Sequence, residues 1–320
     1  MLKLQRKRCF HLLLALLLLC SCALAESTNV AGLKGPTAMG MVKMMDDDGG
    51  ARYNFEICAS ADEITPRLVR GEIDIAALPA NLAAVLYNRT GGALEVLAVN
   101  TLGVLYIAER GDGIHSVGDL RGRTVYSAGK GSTPEFALNH ILRENGLEPG
   151  RDVTVEYKSE HSECLAALMA DSNAAALLPQ PFITTALSKA EDMRVALDLT
   201  KEWDALQDAG GSAMITGVAV ARREFVEANP EAVSAFLADY AASVDYARTD
   251  VSGAAQLIEK YDIVPAAVAE KALPGCNICC ITGDEMRNKL SGYLDVLHAA
   301  DPASVGGALP GDDFYYGAGK

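Results

Sequence analysis

The chain has 320 residues and a formal net charge of −14 at pH 7, and half of its residues are apolar. This length accommodates two domains of ordinary size, and the apolar content indicates a compact fold. So acidic a chain repels phosphate backbones, which argues against nucleic acid as a partner.

The N-terminus has the pattern of an export signal. Four basic residues within the first eight positions precede an apolar run, and small residues follow it. The apolar run is shorter than the roughly 20 residues that a membrane-spanning helix needs. We therefore predict that residues 1–25 form a signal peptide. Its removal takes away four basic and no acidic residues, so the net charge falls from −14 to −18.

Two processing routes fit this signal. Leu19–Cys22 resembles a bacterial lipobox, in which the signal ends at residue 21 and Cys22 becomes a lipid anchor. Ala23–Ala25 fits an ordinary A-x-A cleavage site. The sequence leaves both routes open, and neither requires a membrane-spanning helix.

A Lys-Gly-(Pro/Ser)-Thr corner follows the first predicted strand, which begins near Asn29, and occurs again later. The first copy lies in Leu33–Met41 and the second in Gly129–Ala137, 96 residues further on. Each is predicted to lead from a strand into a helix. Ser132 or Thr133 can cap the second helix, and Gly146 lies where its C-terminal cap is expected.

The segments after the two corners repeat at an offset of 100 residues. Tyr53–Leu86 and Val153–Leu187 share the order strand, helix, strand ending in Leu-Pro, helix. Alternating strands and helices predict βαβ units with parallel sheets, and two copies predict two α/β lobes. Ligands in such sheets lie where loops leave the carboxyl ends of strands. Each corner alone is typical of an ordinary turn, but the pair favours one shared site for a polar or anionic ligand at the helix starts after Gly35 and Gly131.

Other conspicuous residues are predicted to be structural. Cys276–Cys280 reads CNICC, but no second Cys/His pair stands nearby at zinc spacing, so we predict buried thiols and no metal site. Asp46–Asp48, followed by two glycines, lacks the ligand spacing of a calcium loop and predicts a solvated turn. Trp203 is predicted to pack beside the connection between the lobes.

Several stretches together resemble the substrate-binding proteins of bacterial ABC importers. They are LKGPTAMGMVK, GEIDIAALPANLAAVLYNRTGG, LAVNTLGVLYI, KGSTPEFALNHIL and the closing DDFYY. The branch they resemble is the nitrate/sulfonate/taurine type, which is often described with binders of thiamine-pyrimidine precursors. The resemblance covers nearly the whole chain after the signal.

The resemblance implies a two-lobed, type II periplasmic-binding-protein fold that closes on its ligand by hinge motion. Each lobe would be a mainly parallel sheet flanked by helices, with the ligand cleft between the lobes. Lobe I would comprise residues 27–106 and 217–320, and lobe II residues 107–216. The chain would cross between them in strands at Thr101–Arg110 and Met214–Arg223.

The resemblance also implies a set of ligand-binding residues on both sides of the cleft. They are Pro36, Thr37, Asn81, Asn100, Gly131, Ser132, Thr133, Glu160, His161, Gln180 and Phe182. A carboxylate such as that of Glu160 would favour a ligand with a cationic group, whereas the two corners favour an anionic one.

The implied function is an extracytoplasmic solute-binding protein without cofactor or catalysis. Its partners would be a small solute and an ABC permease with its ATPase, and the protein would be a monomer. It would be lipid-anchored at the outer face of the cell membrane, or free in the periplasm or secreted. The alternative is an enzyme of the same fold that acts on a thiamine-pyrimidine or menaquinone precursor. The export signal argues against that cytoplasmic role, and no nucleophile elbow or metal-ligand pair supports it.

Overall fold

The computed structural model describes residues 27–207 and 212–319, so the predicted signal peptide and Cys22 lie outside the described residues. The described chain forms two mixed β-sheets flanked by helices, which confirms the predicted α/β class. The strands of the first sheet are β1 (Thr28–Leu33), β2 (Tyr53–Cys58), β3 (Ile75–Pro79), β4 (Leu94–Leu102), β10 (Ile215–Arg222) and β11 (Ile278–Ile281). The strands of the second sheet are β5 (Leu105–Arg110), β6 (Thr124–Ser127), β7 (Thr154–Tyr157), β8 (Ala175–Pro179) and β9 (Met193–Asp198).

Helices cover both sheets. The α-helices in chain order are α1 (Pro36–Met39), α2 (Val42–Asp48), α3 (Ala61–Arg70), α4 (Ala80–Arg89), α5 (Thr133–Glu144), α6 (His161–Ala170), α7 (Phe182–Leu187), α8 (Leu199–Ala205), α9 (Arg223–Ala228), α10 (Pro230–Thr249), α11 (Val251–Lys260), α12 (Ala266–Ala272) and α13 (Gly283–Ala300). Short 3₁₀ helices lie at Val117–Leu120, Leu273–Gly275, Pro302–Val305 and Asp312–Phe314. Within residues 27–207 and 212–319, no helix is both long and apolar enough to cross a membrane.

The two sheets repeat one strand order. The first runs β11-β4-β10-β3-β1-β2 and the second β9-β5-β8-β6-β7. Strands β1, β2 and β3 pair in parallel in the first sheet, as β6, β7 and β8 do in the second. The next strand in each sheet is antiparallel: β10 pairs with β3, and β5 pairs with β8. Helices α3 and α6 and strands β3 and β8 begin and end 100 residues apart, so the structure confirms the repeat.

The chain passes from the first sheet to the second through Gly103 and Val104. β4 ends before it and β5 begins after it in the other sheet, so the prediction of one continuous strand over Thr101–Arg110 was wrong. Gly103 is needed for close approach, because a Cβ there would lie 2.2 Å from Thr200 Oγ1 and 2.3 Å from Met214 Cε. β10 lies wholly in the first sheet, so the segment Met214–Arg223 is not a shared strand either. The lobe boundaries at 106/107 and 216/217 stay a prediction.

The Asp46–Asp48 segment is not the solvated turn that was predicted. It forms the end of α2, and Gly49 ends that helix in the left-handed conformation with φ 57°. Asp48 is buried and accepts hydrogen bonds from the backbone N–H groups of Arg52 and Tyr53 at 3.0 and 3.1 Å. These backbone donors supply the hydrogen bonds that a buried carboxylate needs. The spacing of residues in the sequence did not reveal this arrangement.

The cysteines of the described chain are all free thiols, and four of the five are buried, as predicted for small core residues. Burial raises the pKa of Cys276 to about 12, so this thiol stays protonated. The described residues contain no cluster of three or more His, Cys, Asp or Glu side chains placed to hold a metal ion.

Candidate functional site

An unpartnered amide lies at the carboxyl end of β4. Asn100 is 1% exposed, and its Oδ1 accepts a hydrogen bond from the Thr101 hydroxyl at 3.0 Å. Its Nδ2 is buried and has no hydrogen-bond partner anywhere in the described chain. A buried donor without a partner costs about 1–3 kcal/mol, so this group is suited to meet an acceptor that a ligand brings.

Thr37 and Gly217 lie against this amide. A Cβ on Gly217 would lie 2.4 Å from Asn100 Oδ1 and 2.7 Å from Thr37 Cγ2. Thr37, at the start of α1, donates its hydroxyl to the Leu33 carbonyl at 3.0 Å and keeps its lone pairs free to accept. Three strands of the first sheet therefore converge here: β1 through α1, β4 and β10.

A second contact joins the starts of two helices, one that follows a strand of each sheet. Thr133, the first residue of α5, is 3% exposed, and its hydroxyl lies 3.5 Å from Oδ1 of Asn81 in α4. Asn81 donates its Nδ2 to the Ser304 carbonyl at 3.3 Å. Burial raises the pKa of Tyr293 in α13, and the nearby Thr133 hydroxyl lowers it. The two hydroxyls lie outside normal hydrogen-bonding geometry. We call Thr37, Asn100, Gly217, Asn81 and Thr133 the candidate site.

The two Lys-Gly corners differ in detail. Gly35 and Gly131 both have positive φ, 131° and 75°, and a Cβ at either would meet nothing within 4 Å. Glycine is therefore required by backbone conformation and not by a close neighbour. Gly131 is exposed, and its N–H donates to the Glu135 carboxylate at 2.5 Å, while Ser132 donates its hydroxyl to the Gly129 carbonyl at 2.6 Å. The first corner opens only the single turn of α1, which begins at Pro36 and is shorter than the helix expected there.

Glu160 and His161 lie at the start of α6. Glu160 is exposed, and its carboxylate accepts from the Ser162 hydroxyl at 3.2 Å. The His161 ring packs on Phe182 with centroids 5.1 Å apart, and its Nδ1 is buried without a partner in the described residues. Burial lowers the pKa of His161 to about 4, so the imidazole is neutral at pH 7 and supplies no positive charge. Phe182 remains 38% exposed.

Gln180 lies where the second sheet contacts the 3₁₀ helix Leu273–Gly275. Its Oε1 accepts from the Thr184 hydroxyl at 2.8 Å, and a Cβ on Gly275 would lie 2.7 Å from its Nε2. Tyr106, beside it in the second sheet, donates its hydroxyl to the Gly275 carbonyl at 3.0 Å. No contact described for Gln180 reaches Asn100 or Thr133.

The structure thus brings some predicted ligand residues together and leaves others apart. Thr37 and Asn100 meet at one end of the first sheet, and Asn81 meets Thr133 across the two sheets. His161 pairs with Phe182, whereas Gln180, Glu160 and Gly131 make separate contacts. The roles of all these residues in ligand binding stay a prediction.

Sequence reasoning missed Gly217 and Tyr293. A glycine inside a strand pattern indicates close approach of another group, and that signal was present in the MITGVAV stretch around Gly217. Tyr293 gave no such signal, because it is one apolar position among several on a long helix. Trp203 packs against the rings of His140 and Tyr293, at 4.7 and 5.4 Å between centroids, which confirms its packing role.

Comparison with known families identifies the chain. A profile of the family described as ABC transporter, phosphonate, periplasmic substrate-binding protein matches residues 39–270, which is more than half of the sequence. The chain belongs to this family. The binding protein is therefore the periplasmic substrate-binding component of an ABC transporter. No curated protein matches its sequence.

Solved structures share the fold of this binding protein. An ABC transporter from Parabacteroides distasonis is 23% identical, with 90% of this chain and 98% of that chain covered and a TM-score of 0.77. The periplasmic aliphatic sulphonate binding protein SsuA from Escherichia coli is 19% identical, with coverage of 86% and 87% and a TM-score of 0.70. The alkanesulfonate-binding protein SsuA from Xanthomonas axonopodis, bound to MOPS, is 16% identical, with coverage of 89% and 94% and a TM-score of 0.64. At these identities the likeness shows the periplasmic-binding-protein fold.

Membership in this family answers the choice between binding and catalysis. The family and the neighbouring structures are transporter binding proteins, not enzymes, so the alternative of a thiamine-pyrimidine or menaquinone enzyme has no support. The family also implies a small-molecule solute, a permease partner and a location outside the cytoplasm.

Proposed function

We propose that the binding protein captures a small polar or anionic solute in a cleft between two lobes and delivers it to its ABC permease. The lobes are those predicted from the sequence, residues 27–106 with 217–320 and residues 107–216. The solute lies at the candidate site, between the carboxyl ends of the first-sheet strands and the start of α5.

The buried Asn100 amide is the observation that carries this proposal. The residue is 1% exposed. Its Nδ2 is a strong hydrogen-bond donor that is buried and has no partner in the part of the chain that is described. Proteins rarely leave such a group unsatisfied without a functional reason. A solute oxygen bound beside Thr37 would satisfy it.

The chemistry around the site favours an oxyanion. The family description names phosphonate and two neighbouring structures are named for sulfonates; both are tetrahedral oxyanion groups. The free Asn100 amide donor and the positive end of the α5 dipole stabilise such a group without a charged side chain. Lys34 and Lys130 are the exposed lysines of the two corners; Lys34 pairs with Asp262 at 3.2 Å, and the Lys130 ammonium lies 5.7 Å from the centroid of the Tyr157 ring.

Two finer features are part of the proposal. The exported protein is held at the membrane through a lipid on Cys22, and it acts as a monomer. The LCSC sequence supports the first feature. Delivery to a permease from the membrane surface needs no second copy of the chain.

The identity of the solute can be tested directly. The protein is purified from cells that export it, unfolded, and the released small molecules are analysed by mass spectrometry. We expect one solute with a phosphonate, sulfonate or similar polar head, which rebinds in calorimetry and is recovered unchanged. Loaded protein should also raise the ATPase rate of the cognate permease in proteoliposomes. Recovery of a chemically altered solute, or no effect of loaded protein on the permease, would overturn the proposal.

A further inference from the structure

A separate cavity of about 360 Å³ lies beside the edge strand β11 and the C-terminal end of β4. Most of its lining residues are apolar, among them Leu102, Ala247, Val251 and Ile278, and the polar ones are Arg248 and Asn277. The volume lies at the small end of the range, roughly 300–1,000 Å³, of sites that bind small molecules. Its lining shares no residue with the candidate site.

One cation stands at this apolar cavity. Arg248, near the end of α10, lines it and makes no ion pair with any described residue. The acidic chain offers many carboxylates, yet the guanidinium remains available at the cavity wall. An arginine fork presents several N–H donors that match a carboxylate.

The polar group next to Arg248 cannot act as its counter-ion. Burial raises the pKa of Cys279 to about 12, although the nearby Arg248 charge opposes this, so the Cys279 thiol is neutral. Glu285, whose charge also reaches Cys279, lies 3.9 Å from the Lys289 ammonium. The CNICC motif thus supplies a neutral wall of the cavity, which leaves the arginine without an anion.

We propose that this cavity is a second binding site, for a small amphiphilic monoanion: a carboxylate with a short unbranched aliphatic chain. The carboxylate meets Arg248, and the chain lies against Leu102, Ala247, Val251 and Ile278. A cation is repelled by the guanidinium, and a neutral alcohol lacks the charge that the guanidinium selects. This site does not depend on the solute of the candidate site.

Calorimetric titration of the mature protein with acetate, butyrate and hexanoate tests the proposal. We expect one saturable site that strengthens about fourfold for each methylene that enters the cavity, with hexanoate near a Kd of about 1 mM. Hexan-1-ol should bind more weakly than hexanoate, and hexylammonium should not bind. Arg248 is exposed, so Arg248→Gln should weaken hexanoate by about threefold, the effect of losing an exposed ion pair. Val251→Phe, which fills the cavity from its partly exposed side, should abolish binding.

Two control variants distinguish binding in this cavity from binding elsewhere on the protein. Arg89→Gln removes an exposed arginine outside the cavity and should leave hexanoate binding unchanged. Asn100→Ala alters the candidate site and should also leave it unchanged. The proposal is overturned if no saturable heat appears up to about 10 mM hexanoate. It is also overturned if Arg248→Gln binds hexanoate as tightly as the wild type does, or if hexylammonium binds as tightly as hexanoate. Loss of hexanoate binding in Asn100→Ala would overturn it as well. That last result would place hexanoate in the solute cleft.

Discussion

Replacing Gly217 with alanine should destabilise the binding protein and weaken its solute binding, because β10 approaches its neighbours too closely for a side chain. The added Cβ would lie 2.4 Å from Asn100 Oδ1 and 2.7 Å from Thr37 Cγ2. Non-bonded heavy atoms are comfortable at about 3.5–4.0 Å, so Asn100 or the strand must move by roughly 1 Å.

The size of the effect follows from two opposing contributions. Overpacking of a tight interior costs about 1–3 kcal/mol. Gly217 does not have a left-handed backbone, so alanine also removes unfolded-state freedom and returns about 0.4–1 kcal/mol. The net loss of unfolding free energy should be about 1–2 kcal/mol. If the shifted Asn100 amide loses its bond to the solute, Kd should rise about 5- to 150-fold.

Urea unfolding followed by Trp203 fluorescence, with calorimetry of the released solute, measures both effects. Gly118→Ala is the matched control, because its new Cβ would have Ser116 Oγ at 3.5 Å as its nearest neighbour. That control should be neutral or slightly stabilising. Thr37→Ser removes the methyl group that clashes with the new Cβ, so it should recover part of the stability lost in Gly217→Ala.

Close packing at Gly217 would be refuted if Gly217→Ala unfolded at the wild-type urea concentration and bound solute with the wild-type Kd. An equal loss of stability in Gly118→Ala would also refute it, because close packing at Gly217 would then not be the cause.

Three further predictions concern other parts of the chain. Asp48→Asn should cost about 1–3 kcal/mol of stability in urea unfolding, because the buried carboxylate accepts two backbone N–H groups, whereas a loss under about 0.5 kcal/mol would contradict that role. The pKa of His161 is about 4 in the folded protein and about 6.5 in the unfolded chain. Between these pH values the unfolded chain binds more protons, so stability falls as pH drops from about 6.5 towards about 4. This loss should reach about 2 kcal/mol at pH 5 and disappear in His161→Gln but not in His115→Gln; identical pH profiles for all three proteins would refute it. Cys22→Ala should release the protein from membranes in cell fractionation, and an unmodified N-terminus at Glu26 in the mature protein would contradict the lipid anchor.

Much of the fold could be predicted because the pattern is local and repeated. The strand at Ile75–Pro79 and its counterpart at Ala175–Pro179 are short, apolar and end in the same Leu-Pro pair. Helix Thr133–Glu144 begins after Ser132 and ends near Gly146, which has φ 71°, as its sequence indicated, although the Ser132 hydroxyl bonds to Gly129 and does not cap the helix. Such signals depend on neighbours in the sequence, and the structure follows them.

Features that depend on distant contacts could not be predicted in the same way. The break at Gly103 coincides with the close approach of Thr200 and Met214, about 100 residues away; the glycine indicated a close approach, but not which distant residues make it. Asp48 resembled a surface residue because three aspartates in a row are usually solvated, yet the chain turns back to place two N–H groups on it.

The candidate site was predictable by residue type but not by arrangement. Asn100 and Thr133 were expected near a ligand, but the unpartnered Nδ2 of Asn100 depends on how β10 packs against β4 through Gly217. Side-chain direction at a strand end is set by that packing. Gln180 illustrates the same limit, because its side chain contacts Gly275 while its sequence position resembled that of Asn81.

The central claim, that the solute binds between the first sheet and the start of α5, is tested most directly by one paired calorimetric titration. The solute released from the wild-type protein is titrated into Asn100→Ala, altered in the first sheet, and Thr133→Ala, altered at the start of α5, with thermal melts to show that both remain folded. The account predicts that each folded variant binds the same solute more weakly, by about 1–3 kcal/mol. Wild-type affinity in both folded variants would contradict it and place the solute elsewhere.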